Sequence, residues 1–184
     1  MMPRVIVPLA DGFEEIEAIT IIDILRRAEV DVLVAGVGKE MVEGSHGITV
    51  RADTLLSRVN LEEFDMIALP GGLPGMENLR RSKQVIEAVQ NLKDANKFTA
   101  AICASPVVLE EAGVVDGRAV TSHPNQAKFM VKAHHTGKRV EVDEKVITGQ
   151  AAGSAMEFAF KLVEILVGRE KVEQVNRGVI ARTA

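Results

Sequence analysis

Three observations predict an α/β fold, one domain over residues 1–184 with a mostly parallel sheet between two helical layers. Short apolar runs alternate with amphipathic helical stretches along the chain. The runs are near-continuous Val, Ile, Leu and Ala, as strands covered on both faces require. Chemically capable residues follow several runs directly, where open α/β sheets bind ligands outside the carboxyl ends of their strands.

The order of elements opens β-α-β. Residues 4–9 (RVIVPL) read as a buried strand that Ala10-Asp11-Gly12 turns out of the sheet. A helix follows, with Glu14, Glu15 and Glu17 in a first turn where carboxylates complement the macrodipole. Ile16, Ile19, Ile22 and Leu25 supply its expected apolar face, and Arg26-Arg27 close it. Residues 31–36 form the second strand. The Gly36-Val37-Gly38 pair behind it lacks the third glycine of a dinucleotide fingerprint and lies after the wrong strand. Residues 47–53 alternate in the manner of a half-exposed strand or hairpin with Arg51 outward. A buried strand over 65–69 runs into Pro70-Gly71-Gly72-Leu73-Pro74-Gly75, read as a loop before a helix over 82–94.

Residues 98–102 are the next strand, and Pro106 suits the first turn of the helix that follows, ending near Ala112 with Gly113 as its cap. Cys103, the only cysteine, thus stands on a strand-to-helix turn among the small residues Ala101, Ala104 and Ser105. Residues 118–121 form a strand leading into Ser122-His123-Pro124, 140–143 and 145–148 a hairpin around Glu144. A helix over 154–167, with Phe158, Leu162, Ile165 and Leu166 as its stripe, stops at Gly168, and 171–175 add a short terminal helix.

Composition excludes several classes of function. The net charge is −4 with both signs interleaved, so no basic stripe faces nucleic acid or anionic lipid. Trp and Tyr are absent, which leaves little for base stacking. No apolar run approaches the ~18 residues of a membrane span, so a soluble, unprocessed chain is expected. One cysteine makes no intramolecular disulfide and fits a reducing cytoplasm.

A thiol at a helix N-terminus gains amide N–H groups that favour its anion, so Cys103 is the candidate nucleophile, against the alternative of a small buried hydrophobe. Glu17, the Gly71-Gly72 loop, Cys103 and His123 each follow a strand, and parallel strands would bring all four to one edge. The glycines let backbone approach a ligand closely. Asp23 interrupts an apolar run and reads as an exposed position, with orienting acid as the alternative. His134 and His135 read as surface residues without ligand-spaced partners, and His46 carries no assigned role.

At these positions the chain resembles the ThiJ/PfpI superfamily, in the branch of the Parkinson-disease protein deglycase. The matching pieces are residues 11–17 (DGFEEIE), 69–72 (LPGG), 100–106 (AAICASP), 121–124 (TSHP) and 153–158 (GSAMEF). The resemblance implies a flavodoxin-like three-layer sandwich with a nucleophile elbow at Cys103, a homodimer and no cofactor. It implies that Cys103 is the nucleophile, Glu17 a protonated carboxyl bonded to its sulfur, and the amides of Gly71 or Gly72 and of Ala104 the oxyanion hole. His123 matches a histidine that some branches lack. Two departures stand out: Ser45-His46 where relatives often carry Arg after Ser, and 151–154 (AAGS) where they carry Gly-Pro-Gly-Thr.

Three chemistries suit these residues. The first is a cofactor-independent glyoxalase or deglycase acting on methylglyoxal or its early amine and thiol adducts through a hemithioacetal at Cys103. The second is a redox-responsive chaperone or sensor of oxidative stress that oxidises Cys103. The third is an amidase or peptidase pairing Cys103 with His123 and an orienting acid.

Overall fold

The computed structural model describes residues 2–181. Its central sheet has seven strands: β1 (Arg4–Leu9), β2 (Asp31–Gly36), β5 (Thr54–Leu55), β6 (Met66–Leu69), β7 (Phe98–Ile102), β10 (Val140–Asp143) and β11 (Val146–Gly149). They lie in the order β10-β11-β7-β6-β1-β2-β5. Only the edge pairing of β10 with β11 is antiparallel; the others are parallel, as their unbroken apolar runs require.

Helices cover both faces. Helices α1 (Glu15–Arg27), α5 (Ala155–Val167) and α6 (Arg169–Val179) share one apolar core with Val5, Val7, Ala100, Ile102 and Ile147. On the other face α2 (Gly75–Arg81), α3 (Lys83–Asp94) and α4 (Pro106–Glu111) pack on Ile6, Ile67, Leu69 and Ala101. Odd and even positions of one strand thus feed different cores, which is the period-2 rule of a strand acting on a three-layer sandwich. The sheet order departs from chain order at β1, whose neighbours are β2 and β6. Ligand crevices form at such a switch point.

Four expectations need correction. The buried face of α1 is Glu17, Ala18, Ile21, Ile22, Ile24 and Leu25, whereas Ile16 and Ile19 are 59% and 43% exposed. A ladder in steps of three residues drifts about 60° per step on a 3.6-residue helix, so one that ends inside at Leu25 begins outside at Ile16. The 70–75 stretch read as a plain loop runs into α2, which buries Met76 and Leu79 and ends where Ser82 caps α3 by accepting from Val85 N. Proline and glycine at its start hid this seven-residue helix.

The third correction concerns β8 (Ala119–Val120), which leaves the main sheet and pairs with β9 (His134–His135). His135 is no free surface residue, since its Nε2 meets Ser122 N at 3.1 Å and Ser122 Oγ at 3.0 Å. The terminal helix is also longer than the expected 171–175. The 41–51 region does form a hairpin, β3 (Met41–Glu43) with β4 (Thr49–Arg51), with Arg51 exposed.

Candidate active site

Cys103 sits where β7 ends, with a backbone φ of 65°. That left-handed conformation costs a non-glycine residue about 1–2 kcal/mol, so its surroundings must impose it. Cys103 N donates to Gly149 O at 3.0 Å, and Cys103 O accepts from His123 N at 2.7 Å. Ser105 Oγ donates to Pro70 O at 2.6 Å, tying the elbow to the loop after β6. Small neighbours are needed because an added Cβ on Gly71 would lie 2.8 Å from the Cys103 Cβ.

Glu17 arrives from the first turn of α1 and is fully buried. Its Oε2 accepts from Gly71 N at 2.8 Å, while Oε1 has no hydrogen-bond partner of ordinary geometry. The group that interacts with the carboxyl is the Cys103 thiol. Burial pushes the Glu17 carboxyl up to about 7, against the Cys103 and Gly71 hydrogen bonds that favour its anion.

The sulfur behaves differently from the expected helix-end thiol. Burial, then the charge of Glu17 and its hydrogen bond, push the Cys103 thiol up to about 12, outweighing the amides of Ala104 and Gly72 directed at the sulfur. Helix α4 has only six residues and little dipole to offer. Protonating Glu17 removes its charge from beside the sulfur, so ionising either group disfavours ionising the other. Gly71 N is committed to Glu17, which leaves Gly72 and Ala104 as the amides at the sulfur.

The sulfur opens on a cavity of about 370 Å³ lined by Glu14, Ser45, His46, Leu73, His123 and Gln126 among others. His123 reaches this wall from the β8 ribbon rather than from a strand of the main sheet. Its Nδ1 accepts from Asn125 N at 3.2 Å. Among the described residues no hydrogen bond joins its ring to the sulfur or to a carboxylate. Asp23 is exposed and pairs with Arg27 at 2.6 Å, so it orients no histidine.

Residues to which the sequence assigned no catalytic role form the rest of the wall. His46 stands over Glu15, whose carboxylate accepts from His46 N at 2.7 Å, Ser45 Oγ at 3.2 Å and Ile48 N at 3.3 Å, with His46 Nδ1 at 3.0 Å. Burial raises the Glu15 pKa, but the His46 ring and local amides outweigh it and hold the carboxyl down at about 2. The hydrogen bond to Glu15 and the nearby carboxylate charges raise His46. Donor atoms of Glu14, Glu15 and His46 lie within 4.8 Å of one another. Glu15 spends its oxygens on the hairpin, so the trio clamps β3-β4 to α1. Gln126 is 9% exposed and its Oε1 is unpartnered, a polar feature that only the folded 124–129 turn brings to the cavity wall.

The fold and this elbow define a class, α/β proteins that expose a strained cysteine at the carboxyl edge of a parallel sheet. Residues 3–165 match the model of the DJ-1/PfpI family, and the chain belongs to that family. It is 41% identical over 180 residues to protein DJ-1 homolog A of Arabidopsis thaliana, covering 97% of this chain and 46% of that one. The chain therefore spans about half the length of that relative. It is 35% identical over 173 residues to the glutathione-independent glyoxalase DJR-1.2 of Caenorhabditis elegans, covering 93% and 91% of the two chains. The crystal structure of Drosophila melanogaster DJ-1beta superposes with a TM-score of 0.96 at 37% identity over the whole of both chains.

Proposed function

We propose that the chain is a cofactor-independent, cysteine-dependent enzyme of the glyoxalase or deglycase type, acting on methylglyoxal or its early adducts with amines and thiols. The observation that carries this reading is the buried Glu17 carboxyl set against Cys103, which itself lines the cavity, with Gly71 packed between the two. The name of the worm relative supports it.

In the proposed sequence the proton of the pair settles on Glu17 and the Cys103 thiolate adds to the aldehyde carbon. The Gly72 and Ala104 amides hold the oxyanion that forms. The oxyanion takes the proton from Glu17, and the carboxylate so formed removes the proton from the former aldehyde carbon and returns it to the adjacent carbon, while the hydroxyl proton passes to the neighbouring oxygen. The resulting lactoyl thioester is cleaved by water to lactate and free thiol. From an adduct, the thiolate displaces the amine or thiol and reaches the same hemithioacetal. A carboxyl near 7 suits both halves of this transfer.

A homodimer and a cytoplasmic setting complete the proposal. Exposed Ile16 and Ile19 on α1 lie beside the hairpin, where Ile48 N reaches Glu15 and Ile19 shares a cleft with Val50 and Arg51, and they offer an apolar face for a second copy. A free cysteine at a reactive elbow fits reducing surroundings.

The test is lactate formation from methylglyoxal. Cys103→Ser should abolish it, Glu17→Gln should reduce it at least about 100-fold as loss of an acid-base group does, and His123→Ala should have a smaller effect. Full turnover by Cys103→Ser would refute the enzymatic reading. A redox-responsive role rests on the same amides, which would also stabilise oxygen added to the sulfur. Suppression of client aggregation only after mild peroxide, with no dicarbonyl turnover, would favour that role.

A further inference from the structure

His135 holds one nitrogen of its ring against the residue that precedes His123. Its Nε2 lies 3.1 Å from Ser122 N and 3.0 Å from Ser122 Oγ. Ser122 is fully buried and stands two residues past β8, so its amide has no ladder partner, and among the described residues no other group accepts from it. A buried N–H left without an acceptor is costly, so the Nε2 lone pair must face it and the ring proton must sit on Nδ1. The parallel pairing of Val120 with His135 carries the imidazole to that place.

From Ser122 the contacts run on to the cysteine itself. Ser122 Oγ meets His123 O at 3.2 Å, and His123 N donates to Cys103 O at 2.7 Å. That bond, together with the one from Cys103 N to Gly149 O at 3.0 Å, fastens both sides of a residue whose φ of 65° its surroundings must impose. One of the two fastenings comes from the main sheet, at the end of β11. The other comes from the β8-β9 ribbon outside it, whose strands have two residues each. A two-stranded ribbon is marginal by itself, so the second fastening depends on side-chain ties such as the one from His135.

We propose that His135 is a positioning residue for Cys103, acting through Ser122 and the His123 amide to keep the elbow closed and the sulfur half-buried. Without the Nε2 acceptor, residues 122–123 swing away and the Cys103 carbonyl loses its donor. The cysteine then relaxes toward ordinary backbone. Burial is the largest of the influences that keep the thiol protonated, so a relaxed elbow frees the sulfur and makes it more reactive toward a small alkylating agent. The inference concerns where the sulfur is held and stands whether or not the chain turns over dicarbonyls.

The test is the rate of alkylation by iodoacetamide at pH 8, which reports on one sulfur because Cys103 is the only cysteine. Far-UV circular dichroism and Tm identify the variants that fold. His135→Leu should speed alkylation about threefold or more, since a thiol that titrates about one pH unit lower supplies about ten times as much thiolate, each somewhat less nucleophilic. His135→Asn, whose acceptor is too short to reach Ser122, should do the same and keeps the test decisive should His135→Leu fold poorly. His135→Gln puts an acceptor near the position of Nε2 and should restore the parent rate. Thr136→Val removes a hydroxyl of the same ribbon, 3.3 Å from Val120 O, without touching Ser122, and should react as the parent does. Parent-like alkylation of folded His135→Leu or His135→Asn, failure of folded His135→Gln to restore the rate, or equal acceleration in Thr136→Val would overturn the proposal.

Discussion

Glu17 shows how one residue ties stability to the proposed chemistry. Its carboxyl ordinarily titrates near 4.5 and in the fold is raised to about 7 by burial. Between those values the native chain keeps a proton that the unfolded chain releases, so this group lowers stability as pH rises from 4.5, with the loss levelling off above about 7. The displacement corresponds to roughly 3 kcal/mol at about 1.4 kcal/mol per unit. Urea unfolding of Glu17→Gln should lack this decline and show a gain of that order at pH 8 relative to the parent. The same substitution removes a charge from beside the sulfur. The pH midpoint of Cys103 alkylation by iodoacetamide should therefore move downward in Glu17→Gln, even as turnover falls. An unchanged midpoint would mean that burial alone raises the thiol.

At the scale of elements, the site is a contact between the ends of β6 and β7 and the start of α1, and Gly71 is where the three meet. A Cβ there would lie 2.8 Å from both the Cys103 Cβ and Glu17 Oε2, and 2.9 Å from Ile102 O. None of these can yield without moving the elbow. Gly71→Ala should cost about 1–3 kcal/mol, seen as a lowered Tm, and should cut turnover more than substrate affinity. The sequence made β1, β2, β6, β7 and the β10-β11 hairpin legible because buried parallel strands leave unbroken Val-Ile-Leu-Ala runs. Cys103 and Glu17 stood out as the lone thiol and as an acid entering a helix. The sequence could not show that Gly71 N is given to Glu17 rather than to an oxyanion, since that depends on where one amide points. Nor could it show His46 and Gln126 on the wall, because local spacing does not encode which turns fold back over an edge.

The clamp between α1 and the hairpin links these elements to the outer surface of the molecule. Glu15 is held near 2, so its contribution is present above 4.5 and is lost as pH falls toward 2. His46 is raised above 6.5, so its contribution is complete below 6.5 and is lost as pH climbs through its elevated value. Hydrogen exchange of the hairpin amides should speed up at both extremes, and His46→Ala should remove the alkaline limb alone.

At the scale of the whole molecule, α1 faces two ways. Glu17, Ala18 and Ile21 point into the site and core, while Ile16 and Ile19 remain exposed beside the clamped hairpin. A monomer gains nothing from isoleucine at those two positions, and covering an aliphatic side chain of this size is worth about 1.5–3 kcal/mol. The proposed homodimer would cover them. Light scattering should then give about twice the 19.9 kDa chain mass, and Tm should rise with protein concentration because association favours the folded state. Ile16→Glu combined with Ile19→Glu should reduce the mass to one chain and abolish the concentration dependence, leaving the far-UV circular dichroism unchanged because neither side chain belongs to the core. A parent chain that scatters as 19.9 kDa at micromolar concentration would exclude this use of the surface and leave the exposed face of α1 to another partner.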